Sequence, residues 1–108
     1  MRAAAALILA LAVSGSAFAG GNAEKGKAKA AQVCAACHGA DGAKTVAPDQ
    51  PILAGQYPDY LVRALGDYKS GKRNNPIMKG FAATLSTLDI ENLAAWFASQ
   101  KSSLHFQR

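Results

Sequence analysis

Five consecutive residues, Cys34, Ala35, Ala36, Cys37 and His38, carry the densest chemistry in this chain. Two thiols at i and i+3 with an imidazole at i+4 match the arrangement for covalent attachment of a c-type haem. The spacing has a physical basis. On a helical turn these three positions share one face, so Cys34, Cys37 and His38 can address a single flat ligand. Each thiol can add to one vinyl group of the haem, forming a thioether, while neutral imidazole serves as an axial ligand to the iron. The same C-x-x-C also suits a thioredoxin-like redox pair, half of a zinc site or a plain disulfide. No β-rich run precedes Cys34, as a redox pair on a strand–helix unit requires. A zinc site needs about four ligands, whereas the chain holds two cysteines and two histidines, the second being the distant His105.

An iron held by His38 has a sixth position to fill. Apart from Met1, the chain offers one thioether, Met78, and one further imidazole, His105. Met78 follows Asn74-Asn75-Pro76-Ile77, and the stretch from Lys72 to Leu85 reads as irregular, a loop able to cross the distal face. His105 lies in a C-terminal tail, where chains fray. Met78 is therefore the expected partner of His38.

The surrounding elements must position these groups. Asn22 is a good N-cap and Glu24 suits the positive end of a helix. Ala23, Gly26, Ala30, Val33 and Cys37 recur at helical spacing, which predicts a helix from Ala23 to Ala36 or Cys37 delivering the haem ligands at its end. Residues 39–56 contain turn residues and two prolines and read as a loop. A second helix opens at Pro58 and closes at Gly71, with Tyr57, Tyr60, Leu61, Ala64, Leu65 and Tyr68 on its apolar face. The last begins at Ser86, with Asp89 completing a capping-box pattern. Its inner stripe is Ile90, Leu93, Ala94 and Phe97, with Trp96 on the flank, and it should pack across the first helix near Gly26. No repeat or strand alternation appears.

At the N-terminus, a short positive start at Arg2, an apolar run from Ala3 to Val13 and the small-x-small site Ala17-Phe18-Ala19 form a secretory signal pattern. The run is too short to span a bilayer comfortably; the alternative reading is an uncleaved membrane anchor. Residues 1–19 are thus expected to be a signal peptide cleaved near Ala19, and residues 20–108 a single domain exported to an oxidising compartment, the bacterial periplasm. So small a domain buries a modest core and benefits from a covalent staple. The net charge of +5 is too weak to argue for nucleic acid.

With these pieces in place, the chain resembles the class I c-type cytochromes, especially the small soluble bacterial monohaem ones and single halves of their two-haem relatives. The resemblance rests on Cys34 to His38, Pro51-Ile52-Leu53-Ala54-Gly55-Gln56, Tyr68-Lys69-Ser70-Gly71-Lys72-Arg73, Met78, and the stretch from Leu85 to Gln100. It implies an all-α fold of three to four helices around one covalent haem c with its iron, the first and last helices crossing. It also implies that Pro51 lends its carbonyl to the Nδ1–H of His38, that Leu53 packs on the haem, and that Gly55 permits close approach. The residues before Met78 depart from the family pattern, and a second C-x-x-C-H is absent.

The function implied is transfer of single electrons between redox protein partners, without enzymatic turnover. No small-molecule substrate is expected, and membrane contact only through partner complexes. Lys44, Lys69, Lys72, Arg73 and Lys79 are candidates for rimming an exposed haem edge and steering an acidic partner. Two other roles remain open: a fixed subunit through which electrons enter a larger respiratory or dehydrogenase complex, and a haem sensor or enzyme with a displaceable sixth ligand.

Overall fold

Residues 20–101 are described by a computed structural model, and the expected signal peptide and the tail bearing His105 lie outside them. Five helices follow in order: α1 (Ala23–Val33), α2 (Ala35–His38), α3 (Pro58–Ser70), α4 (Pro76–Ala82) and α5 (Thr87–Ala98). Among the described residues there is no strand, so the fold is all-α as expected, with two short helical segments beyond the three long ones.

α1 starts where Asn22 caps it, its Oδ1 accepting from the Lys25 N–H at 3.0 Å. The helix ends earlier than its apolar spacing suggests. At Cys34 (φ −113°, ψ −32°) the backbone stays in the right-handed helical region, and its N–H closes α1 on the Ala30 carbonyl at 2.9 Å. The N–H groups of Cys37 and His38 then both converge on the Cys34 carbonyl, at 3.3 and 3.0 Å. The haem motif therefore occupies a fresh short turn rather than the end of a continuous helix.

α3 begins and ends where its sequence predicts, but Tyr57 is its N-cap and, like Tyr60, is exposed rather than part of a buried apolar face. Pro58 stands at the first turn, where its missing N–H costs nothing. Gly71 closes the helix in the left-handed conformation (φ 83°), which residues with a Cβ adopt at a cost. The region from Lys72 to Leu85 is a correction: it contains α4. Asn75 is extended, as a residue before proline should be, but that makes it an N-cap rather than a break. Its Oδ1 accepts from the N–H groups of Ile77 and Met78, each at 3.1 Å, and Pro76 opens the helix. Met78 thus rides on a helix. In α5 the capping box is complete, with Asp89 N–H donating to Ser86 Oγ at 3.0 Å and Ser86 N–H to Asp89 Oδ2 at 2.9 Å.

The core is built mainly by α5. Ile90, Leu93, Ala94 and Phe97, the predicted stripe, are buried together with Ala30, Leu61 and Leu85. α1 packs directly on α5 because Gly26 presents no side chain. Asn92, buried though polar, accepts the Asn22 N–H on its Oδ1 at 2.7 Å, which satisfies both groups. Trp96 donates from its indole to the Ala40 carbonyl at 2.9 Å, so α5 also holds the start of the loop that follows α2.

Candidate haem site

A cavity of about 490 Å³ opens between α2, α3, α4 and the loop over residues 39–56, within the size range of small-molecule and cofactor sites. Cys34, Cys37, His38, Pro51, Leu53 and Met78, the six residues singled out from sequence, all line it. Leu61, Leu65, Leu85 and Phe97 supply apolar wall.

His38 is 6 % exposed, and its Nδ1 lies 2.9 Å from the Pro51 carbonyl oxygen. A carbonyl only accepts, so the bond requires the proton on Nδ1 and leaves Nε2 as the basic nitrogen. The loop holds Pro51 in place through its own contacts. Val46 N–H donates to the Cys37 carbonyl at 3.1 Å, Leu53 N–H to the Gly42 carbonyl at 2.8 Å, and Gly55 N–H to the Phe97 carbonyl at 2.8 Å. Gly42 sits in a left-handed conformation (φ 78°), and a β-carbon there would lie 2.7 Å from the Phe97 ring and 2.9 Å from Leu53 Cβ. Only glycine lets the loop fold this tightly.

Both cysteines are free thiols and half-buried. Burial pushes the Cys34 thiol up to about 11, with the nearby Lys29 charge pulling weakly the other way. At neutral pH Cys34 is therefore a protonated thiol. Among the described residues, no three His, Cys, Asp or Glu side chains are placed to hold a bare metal ion. The donors around the cavity are instead one imidazole and one thioether, with two thiols beside them. That set fits an iron whose remaining positions are filled by a macrocycle tethered at Cys34 and Cys37.

Several cavity residues carry roles that their sequence pattern does not reveal. Tyr60 and Tyr68 fall on the apolar stripe of α3, yet both line the cavity beside Arg73, Asn74 and Asn75. The helical period signals only that α3 has an inner face, not that this face meets a ligand. Lys69 is a different case. Its ammonium donates to the Leu85 carbonyl, so it is engaged in holding α3 against the segment before α5.

Shell and site together define a small all-α protein that encloses a planar ligand. The cytochrome c family model matches residues 23–101, and the chain belongs to that family. Its cofactor is accordingly a covalently attached haem c with iron at its centre. The chain is 50 % identical over 98 residues to cytochrome c4 of Pseudomonas aeruginosa, covering 91 % of this chain and 48 % of that one. It is 46 % identical over 66 residues to the thiosulfate dehydrogenase electron acceptor of Stutzerimonas stutzeri, covering 61 % and 31 %. The crystal structure of reduced cytochrome c4 from Pseudomonas stutzeri superposes with a TM-score of 0.70 at 43 % identity, covering 78 % of this chain and 48 % of that one. The chain thus spans about half the length of the cytochrome c4 proteins it matches.

Proposed function

We propose that this chain is a periplasmic carrier of single electrons, holding one haem c through thioethers to Cys34 and Cys37 with His38 and Met78 as axial ligands. One observation carries the reading: a buried imidazole fixed through Nδ1 to Pro51 shares its cavity with both cysteines and the methionine. Bound haem supplies a ferric–ferrous couple. His38 is oriented by the Pro51 carbonyl, which also raises its basicity as a ligand. The Met78 thioether favours the ferrous form relative to a second imidazole and raises the potential. Leu53, Leu61, Leu65 and Phe97 give the cavity an apolar lining, and a low-dielectric surround disfavours the extra ferric charge. With both axial positions taken, oxygen and peroxide find no open site, so the residues serve transfer rather than turnover.

Residues 1–19 act in this reading as the export signal and residues 20–108 as the cytochrome domain. Among the described residues, no helix is long and apolar enough to cross a membrane. The partners are redox proteins. The name of the Stutzerimonas relative supports a donor of the dehydrogenase class. It equally favours a second reading, a fixed subunit through which electrons enter a larger complex, and copurification with a large partner from native membranes separates the two. Exposed Lys44, Lys72 and Lys79 are the remaining candidates for steering an acidic surface.

The decisive measurement is mass and visible spectrum after maturation in a host able to attach haem c. One added haem and a six-coordinate, low-spin spectrum are expected. Colourless protein, with its thiols free or joined to each other, overturns the proposal.

A further inference from the structure

We infer that Lys69 is a positioning residue for the sixth ligand: by binding the Leu85 carbonyl it fixes the far end of α4 and so retains Met78 on the iron; this rests on the haem-bearing reading above. Met78, Ala82 and Leu85 follow one another at +4 and +3, and all three line the cavity. Ile77 and Phe81 of the same helix are exposed, so α4 is covered on one side only. It has seven residues, and helices that short are marginal on their own. Its placement therefore depends on how its two ends are held. At the start, Asn75 Oδ1 accepts from the N–H groups of Ile77 and Met78. At the finish, Ala83 N–H donates to the Lys79 carbonyl at 2.9 Å, Leu85 N–H to the Ala82 carbonyl at 3.1 Å, and Thr84 Oγ1 to the Phe81 carbonyl at 2.7 Å. These bonds join Leu85 firmly to α4, but all are internal to the segment. The Lys69 ammonium crosses from α3 and donates to the Leu85 carbonyl.

The direction of this bond is informative. A lysine in the last turn of a helix ordinarily serves that helix's own terminal carbonyls. Lys69 stands in that turn of α3, yet its ammonium goes to a carbonyl 16 residues further along the chain. Two N–H groups that follow Leu85 are committed elsewhere: Asp89 donates to Ser86 Oγ at 3.0 Å and Ile90 to the Ser86 carbonyl at 3.0 Å. The lysine thus meets the Leu85 carbonyl at the joint where α4 gives way to α5. The Leu85 side chain is buried in the core, which sets its depth, and the carbonyl bond adds the orientation. A charged donor makes a stronger hydrogen bond than a neutral one. A thioether, by contrast, is a neutral and weak donor of electrons, so its hold on a metal depends on the backbone that carries it. Local opening of a short, half-covered helix needs far less free energy than global unfolding. Loss of the Lys69 bond is therefore felt first as release of Met78, and only later as loss of the fold.

The test is the rate at which added imidazole displaces the sixth ligand of the haem-loaded ferric protein, read from the visible spectrum, with the midpoint potential measured alongside. The parent is compared with Lys69→Met, Lys69→Arg and Lys25→Met. Lys69→Met removes the donor while keeping an unbranched stem, and should speed displacement on the order of tenfold and lower the potential. Lys69→Arg can still donate and should restore most of both. Lys25→Met removes the same charge from α1 and should leave the displacement rate at the parent's. A parental rate in Lys69→Met, with one haem and a six-coordinate spectrum, overturns the inference and leaves the haem reading standing. Equal acceleration in Lys69→Met and Lys25→Met also overturns it, since charge and not the bond would then be at work. A parent chain that acquires no haem overturns both. If Lys69→Met does not mature, Lys69→Ala decides in its place: faster displacement supports the strap, and an unmoved rate removes it.

Discussion

Gly26 and Asn92 touch backbone to backbone: a β-carbon on Gly26 would stand 1.9 Å from the Asn92 carbonyl oxygen and 2.9 Å from Trp96 Cβ. The joint between α1 and α5 depends on this absence of a side chain. Alanine is the better helix former by about 1 kcal/mol, but the atom it would meet is rigid backbone. Gly26→Ala is expected to be destabilising on balance, by about 1–3 kcal/mol as overpacked sites are. Denaturant unfolding of the haem-loaded protein measures it, and a gain in stability would mean that α1 and α5 separate freely.

Leu93 is fully buried in the middle of α5. Leu93→Ala should cost about 2–5 kcal/mol through lost burial and a residual cavity. The same unfolding experiment reads the loss, which should exceed that of a change at exposed Leu88.

Met78→Ala should lower the midpoint potential and let the ferrous iron take up carbon monoxide promptly. A parental potential and spectrum would show that the sixth ligand comes from elsewhere.

Asn75 reaches the same methionine indirectly, through the two N–H groups it caps. Asn75→Ala should cost about 0.5–2 kcal/mol of local stability. It should also quicken displacement of the sixth ligand by added imidazole while leaving the resting spectrum close to the parent's. An unchanged displacement rate would separate the cap from ligand retention.

Acid should weaken α5 through Asp89. Its carboxyl is held below its ordinary value, chiefly by the Ser86 N–H it accepts, with Ser86 Oγ and Lys29 adding to this. The folded pKa lies below the unfolded one, so the stabilisation is complete above the ordinary value of about 3.9 and disappears as pH falls through the folded value. Melting temperature followed into acid should therefore fall less in Asp89→Asn than in the parent. Parallel curves would exclude a role for this carboxylate.

Much of the fold was legible because its signals are local. Ser86 with Asp89, Pro58 and Gly71 announce helix ends through backbone chemistry that acts within four residues. The α5 stripe was equally plain, since one side of a helix facing a core repeats at a fixed period. α4 escaped because Asn75-Pro76 signals both a break and a beginning, and only the closed Asn75 cap distinguishes them. The interruption at Cys34 is invisible to periodicity, which continues across it. That Cys34, Cys37 and His38 face one cavity was legible from spacing, and Met78, singled out by the scarcity of donors, lines the same cavity. The Pro51 contact came only with the family resemblance, because its acceptor is backbone, which any residue carries. The grouping of Tyr60, Tyr68 and Arg73 depends on how the chain turns after α3, and Arg73 read as one surface cation among several.

The loop that presents the Pro51 carbonyl has no regular structure of its own and borrows its rigidity from α5. Gly55 hangs from the Phe97 carbonyl, and Gly42 is pressed under the Phe97 ring. The residue at the heart of the packing is thus also a support for the hydrogen bond behind the imidazole. Folding strength and electronic tuning share one foundation, so a change at Phe97 cannot alter the first and spare the second.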